Sequence, residues 1–178
     1  SAAGVYRVAL GIESGSLRIQ KLISKSLDIG ILRNVVSKLT CANISVNGFF
    51  MLGFPGETMD EMQQTIQFAC DLDLSTVLFS LVIPNPGTDL RDMVLNEGEA
   101  TNKNFSQYSI TAVNSNASRV DPEILVQLQK KAYRRFYFNP KRAWQIYRTT
   151  PSKRLLFSKF LSLLKLTSSW SRRLSYQS

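Results

Sequence analysis

The apolar residues of this chain fall into short continuous runs separated by glycine and proline. The segment from Ile44 to Glu57 organises the others, because a β-branched and aromatic run leads there into Gly53-Phe-Pro-Gly56. Such a run predicts a central parallel strand that is buried on both faces and ends at the glycine turn. Thr58 and Glu61 then fit a capping box, which predicts a helix that runs to Leu72.

Two further runs predict strands on either side of this segment. Val5 to Leu10 leads into the turn Gly11–Ser16, and Thr76 to Ile83 leads into Pro84–Thr88. Apolar spacing predicts the intervening helices. Their predicted positions are Leu17 to Ile23, Ile31 to Leu39, and Asp89 to Asn96.

Strand, turn and helix in alternation predict an α/β fold with a parallel sheet and ligand-binding loops at the carboxyl ends of the strands. Each of these strands is apolar enough to be covered on both faces. A sheet of only three strands, however, leaves one or both of its edges open. We therefore expect part of a larger (β/α) barrel, followed by C-terminal helices. An apolar sheet edge should be exposed beside the Val5 strand, where a neighbouring strand is missing.

The rest of the chain is polar and then helical. Residues 98–120 are predicted to form an irregular connection with a short strand at Tyr108–Val113. Asp121-Pro122-Glu123 predicts a helix start, and Pro140 is expected to end that helix. Its expected apolar stripe is Leu125, Leu128, Ala132 and Phe136. Shorter helices are predicted at Lys141–Tyr147 and Pro151–Leu166, so the expected units are 1–97, 98–120 and 121–178.

The formal net charge of +9 is concentrated at one end, because residues 119–178 hold 14 of the 22 Lys and Arg but 2 of the 13 Asp and Glu. This basic extension predicts an acidic partner, RNA or a membrane surface, with a merely solvated basic face as the alternative. Tyr133, Phe136 and Tyr137 lie between its cations, as in an RNA-binding face, but aromatic residues at helical spacing also pack against a sheet.

Histidine is absent, which removes the commonest general base and transition-metal ligand, and simple acid–base or zinc chemistry with it. Cys41 and Cys70 lie in separate predicted helices, so no disulfide framework and no metal site is predicted; both thiols are expected to be buried or half-buried. This cysteine content and the lack of a signal peptide or membrane span predict a reducing, cytoplasmic location.

Three motifs follow the predicted strands: Gly11-Ile-Glu-Ser-Gly-Ser16, Gly48-Phe-Phe-Met-Leu-Gly-Phe-Pro-Gly-Glu-Thr58 and Pro84-Asn-Pro-Gly-Thr88. In this order they resemble the second half of the radical S-adenosylmethionine (SAM) domain. The likeness is closest to iron–sulfur oxidoreductases and methyltransferases in which that domain follows a cobalamin-binding domain. Asp121 to Arg148 resembles the helical segment after that barrel. The resemblance implies a partial (β/α)6 barrel, with these strands as its fourth, fifth and sixth.

The resemblance also implies a set of cofactor-binding residues, whereas the catalytic residues and the substrate stay unknown. The set is Glu13 and Ser14 near SAM, Lys25 towards the SAM carboxylate, Gly53 and Pro55 along the adenine, and Pro84 near substrate. Simpler roles stay open: Glu13 as a helix-start carboxylate, Lys25 as a solvated lysine, and Glu57 with Thr58 as a helix start.

The family's cluster-binding Cys-x-x-x-Cys-x-x-Cys loop does not occur in this sequence. Since the chain opens on a strand, we expect a C-terminal fragment whose partner is the upstream half of the same polypeptide. The full-length enzyme would use SAM, a [4Fe–4S] cluster and, in the cobalamin subgroup, cobalamin. The isolated fragment should bind no cofactor and be inactive. The alternative function is a non-catalytic basic module that binds nucleic acid or a membrane through residues 119–178.

Overall fold

The structure is a computed structural model that describes residues 4–25, 27–96, 118, 120–140 and 142. The chain divides into two compact units, residues 1–136 and 137–178. The first unit contains all of the strands described below.

Alternating strands and helices form the described part of the chain. In order, they are β1 (Arg7–Glu13), α1 (Leu17–Leu22), α2 (Ile29–Cys41), β2 (Ser45–Leu52), α3 (Met59–Asp71), β3 (Thr76–Leu81), α4 (Asp89–Asn96) and α5 (Pro122–Tyr137). The predicted capping box is present, with the Thr58 hydroxyl and the Glu61 carboxylate each accepting from the other residue's amide. The predicted helices therefore form where local spacing and caps place them.

The three strands form one open parallel sheet in the order β1-β2-β3. β2 is therefore the central strand, as its apolar run predicts. Phe50 of β2 pairs with Phe79 of β3, and the two rings lie 5.5 Å apart. An open parallel sheet with helices confirms the predicted α/β class and is consistent with part of a barrel.

Within the described part of the chain, one face of the sheet is covered and the other is partly exposed, which corrects the prediction that its strands are buried on both faces. Burial alternates along β2 and β3, so that Val46, Phe50 and Phe79 are buried. On the opposite face Phe49 and Leu78 are adjacent in register, and each is 40% exposed. We call this second surface the open face. The apolar runs gave no sign of it, because hydrophobicity alone does not say which face has a covering layer.

The outer edge of β3 is closed by side chains of α5. Tyr133 Oη accepts from the Phe79 amide at 3.0 Å and donates to the Phe79 carbonyl at 3.1 Å, and Gln129 Nε2 donates to the same carbonyl at 2.6 Å. The Tyr133 ring also packs edge-on against the Phe79 ring. The predicted stripe of α5 is confirmed, since its four members are at most 7% exposed. Tyr133 and Phe136 thus serve packing.

Some boundaries differ from the prediction. β1 continues beyond Leu10 to Glu13, because pairing with β2 persists through a register shift between Gly11 and Glu13. β3 ends at Leu81 rather than Ile83. α5 ends at Tyr137, three residues before Pro140, and Pro140 itself lies in a further helical segment.

Other predictions fall outside the described residues. These are the strand at Tyr108–Val113, most of the connection 98–120, the helix Pro151–Leu166 and all but one residue of Lys141–Tyr147. The three predicted units stay predictions. Among the residues that were placed, no helix has the length and hydropathy needed to cross a membrane.

Tyr133→Phe tests the closure of the β3 edge. The substitution removes the hydroxyl that accepts from the Phe79 amide. The free energy of unfolding should therefore fall by about 1–3 kcal/mol. Urea unfolding measures this loss. Tyr6→Phe is the matched control, because Tyr6 is 74% exposed. Equal stability of the Tyr133 variant and the parent would contradict the role given to this hydroxyl.

Candidate functional site

The loop that follows β2 is held by the carboxylate of Glu57. Glu57 Oε2 accepts from the amides of Gly53 at 2.7 Å and Phe54 at 3.0 Å, and the Glu57 amide donates to the Phe54 carbonyl at 2.9 Å. Glu57 is 0% exposed, and its Oε1 has no hydrogen-bond partner among the described residues. Burial raises its pKa to about 7, while the bonds from Phe54 and Gly53 act in the opposite direction.

A second carboxylate, Glu61, ties α1 to the start of α3. Arg18 contacts both of its oxygens, with Nε 2.6 Å from Oε1 and Nη2 2.7 Å from Oε2, and Nη2 also donates to the Gly56 carbonyl. The Ser16 hydroxyl donates to Glu61 Oε1 as well. The hydrogen bond from Arg18 is the main reason why the pKa of Glu61 is lowered to about 2. The ends of β1 and β2 are therefore fixed relative to one another.

Close packing against α3 fixes the turn after β1. The hydroxyl of Ser14 is 3.0 Å from that of Thr65, and the Gly15 amide donates to the Thr65 hydroxyl at 2.9 Å. A Cβ on Gly15 would lie 2.9 Å from Thr65 Cα and from Phe68 Cβ, so this approach requires glycine. Ser14 is fully buried in these contacts. Its predicted contact with SAM stays a prediction.

Glu13 and Lys25 form an ion pair at the carboxyl end of β1, with Lys25 Nζ 3.0 Å from Glu13 Oε1. Their side chains are 23% and 35% exposed. Glu13 has a φ of +66°, a left-handed conformation that is uncommon for a residue with a side chain. A Cβ on Gly11 would lie 2.8 Å from the Glu13 carboxylate and 3.2 Å from Lys25 Nζ.

This pair lies beside the open face of the sheet. Gly11 pairs with Phe49, and Phe49 pairs with Leu78, so that these three residues form one row across the open face. The carboxylate and the ammonium occupy the space that a side chain at Gly11 would fill. The chain thus places one acceptor and one donor, both partly accessible to solvent, next to an apolar surface. That arrangement can hold a zwitterionic or hydroxyl-bearing ligand.

The remaining predicted residues lie under the surface of the same sheet end. Gly53, Pro55 and Pro84 are buried, and the Gly53 amide is already engaged by Glu57. Phe54 packs with Ile19 and Val82 in an apolar cluster. The structure therefore brings Glu13 and Lys25 together, and the binding roles of Gly53, Pro55 and Pro84 stay predictions.

Three polar residues of this region were missed or only partly understood from sequence. The sequence indicates a helix-start role for Glu57, yet Glu57 is buried and holds the loop before that helix. Gln20 is 3% exposed and donates to the carbonyls of Ile12 and Ser14. The pairing of Arg18 with Glu61 spans 43 residues. A Glu four residues after a strand-ending glycine was the one signal available for Glu57.

The thiols take no part in the site. Cys41 is exposed at the end of α2, so the expectation of a buried or half-buried thiol is wrong for it, whereas Cys70 in α3 has intermediate exposure. Cys41 is the last residue of its helix, beyond the stripe that packs on the sheet. Within the described residues, no group of three His, Cys, Asp or Glu side chains could hold a metal ion. An iron–sulfur cluster therefore does not fit the residues placed here.

The raised pKa of Glu57 predicts how stability depends on pH. In the folded chain the Glu57 carboxyl keeps its proton up to about pH 7, whereas in the unfolded chain it loses it near its ordinary pKa of 4.5. Stability should therefore fall as pH rises between these values, by about 3 kcal/mol at most. Glu57→Gln keeps a carbonyl acceptor and should remove this dependence, as measured by urea unfolding from pH 5 to 8.

Glu123→Gln is the matched control, since Glu123 is exposed on α5 and should leave the pH dependence unchanged. Glu61 does not affect stability between pH 5 and 8, because a carboxyl with a lowered pKa loses its stabilising effect only at acidic pH. An unchanged slope in the Glu57→Gln variant would contradict the assignment of the proton to Glu57.

No family model matches the chain. Over 138 residues the chain is 31% identical to an uncharacterized methyltransferase of Pyrococcus horikoshii. The matched segment covers 78% of this chain and 30% of that protein. The chain is 31% identical over 86 residues to the tRNA-2-methylthio-N(6)-dimethylallyladenosine synthase of Buchnera aphidicola, covering 47% of this chain and 19% of that one. It is also 31% identical over 98 residues to the protein of the same name from Sodalis glossinidius, and this match covers 54% of this chain and 21% of that protein. The chain therefore spans a third or less of each of these relatives, and at this partial coverage they support the radical SAM family that its motifs resemble.

Proposed function

We propose that this chain is the SAM-proximal, C-terminal portion of a radical SAM iron–sulfur enzyme of oxidoreductase or methyltransferase type. The observation that carries the proposal is the Glu13–Lys25 pair at the end of β1, beside the open face of a parallel sheet. Two further findings support it: the order of the three strand-end motifs and the partial similarity to an uncharacterized methyltransferase.

The pair suits the amino-acid end of SAM. The Glu13 carboxylate can accept from an ammonium group or a ribose hydroxyl, and the Lys25 ammonium can donate to a carboxylate. When bound, SAM supplies a methyl group or the source of a radical. The side chains of this chain would bind and orient that cofactor, and the adjacent apolar row of Phe49 and Leu78 would exclude water.

The upstream half of the same polypeptide would complete the site. The outer edge of β1 pairs with no strand among the described residues, whereas the β3 edge is closed by Tyr133 and Gln129. A preceding strand would therefore add at β1. That half would supply the cluster cysteines, and in the cobalamin subgroup a cobalamin domain. A reducing, cytoplasmic location suits an exposed Cys41 thiol.

The first test measures SAM binding to the polypeptide extended upstream through a Cys-x-x-x-Cys-x-x-Cys loop, by calorimetry. Glu13→Ala should weaken binding by about 1–3 kcal/mol, because the ligand loses an acceptor in a site that the upstream half would shield from water. Gly11→Ala should also weaken it, since the new Cβ occupies the space of the carboxylate. Glu123→Ala, on exposed surface, is the control.

If both site variants bind SAM as tightly as the parent, the proposed site is wrong and Glu13 is a helix-start carboxylate. The absence of that cysteine loop from the preceding gene sequence would overturn the proposal outright. Reconstitution with iron and sulfide gives a third check: the 178-residue chain should stay colourless and the longer polypeptide should turn brown. A stoichiometric cluster on the shorter chain would contradict the metal assignment.

A further inference from the structure

A groove of about 500 Å³ lies between α3 and α5. Met59, Ile124 and Leu128 supply its apolar part, and Lys130, Lys131 and Arg134 supply its basic part. Ile124 is 46% exposed although it is a large aliphatic residue. The groove thus combines apolar surface with several cations, and none of its described lining residues is acidic.

Charge is ordered along the two helices that flank this groove. The exposed acidic residues Asp60 and Glu123 belong to the first turns of α3 and α5. Lys131 and Arg134 are exposed and follow two to three turns later on α5. Arg135 donates to Gln67 of α3, which fixes the two helices beside each other at that end. An occupant would therefore meet cations at one end and an apolar floor at the other.

We propose that this groove binds an acidic amphipathic helix of a partner protein. Its apolar residues would pack on Ile124, Met59 and Leu128, and its carboxylates would pair with Lys131 and Arg134. A helix laid into a groove uses anchors at i, i+3, i+4 and i+7, which suits an elongated floor between two helices. This inference is independent of the proposed function, since none of these residues belongs to the Glu13–Lys25 site.

The same observations disfavour the other polyanions. Tyr133 and Phe136 of α5 face the sheet, and no described aromatic residue lines the groove, so bases would have no ring to stack on. Leu128 is 7% exposed at the bottom of the groove, where a flat membrane surface would not contact it. A projecting, narrow, acidic element fits better than either.

The test uses the 178-residue chain and a fluorescent helical peptide of leucine, alanine and glutamate, with leucines at i, i+3, i+4 and i+7. Fluorescence anisotropy should show saturable binding that weakens as salt rises. The double variant Lys131→Glu/Arg134→Glu should weaken binding at least tenfold, and so should Ile124→Asp. Lys21→Glu/Lys38→Glu makes the same charge change on α1 and α2 and should leave affinity unchanged.

Urea unfolding of every variant separates lost binding from lost folding, and the milder Lys131→Gln/Arg134→Gln replaces any variant that does not fold. The proposal is overturned if the peptide fails to bind, or if a peptide with lysine in place of glutamate binds equally well. Equal weakening by the α1 and α2 variant would also overturn it. Binding of oligouridylate or of phosphatidylserine vesicles that depends on Lys131 and Arg134, without peptide binding, would assign the groove to RNA or a membrane instead.

Discussion

Buried main-chain polar groups need hydrogen-bond partners, and two side-chain clusters of this chain meet that need where the sheet itself cannot. At the outer edge of β3, Tyr133 and Gln129 bond to the amide and carbonyl of Phe79. At the end of β2, Glu57 accepts from the first two amides of the following loop. The positions of α5 and of the loop both follow from these bonds, because neither set of backbone groups can reach water.

The consequence is a sheet with unlike edges and unlike faces. α5 closes β3, while the outer edge of β1 pairs with no strand within the described part of the chain. Phe50 and Phe79 are buried on one face, whereas Phe49 and Leu78 are partly exposed on the other. A closed edge on one side and an open edge on the other give the sheet a direction in which it can be extended. The Glu13–Lys25 pair lies at that open side, on the strand where added chain would pair.

Local sequence patterns predicted the elements well, because caps and apolar spacing act over a few residues. The Thr58–Glu61 capping box and the bounds of α4 needed no tertiary information. Tertiary contacts could not be predicted in the same way. Nothing near Arg18 in sequence indicates Glu61 as its partner, and the apolar run of β2 does not reveal that Phe49 lies on an uncovered face. The motif resemblance placed Glu13 and Lys25 in one site, and the structure shows them in contact.

The central claim is that Phe49 and Leu78 lie on a solvent-accessible apolar face of the sheet in the folded chain. Binding of a hydrophobic fluorescent dye to the natively folded chain tests it most directly. The account predicts dye fluorescence that falls in Phe49→Ser/Leu78→Ser but persists in Ile31→Ser, because Ile31, at 62% exposed, lies on α2 instead. A folded chain that binds no dye, or whose binding ignores the Phe49 and Leu78 changes, would contradict the account.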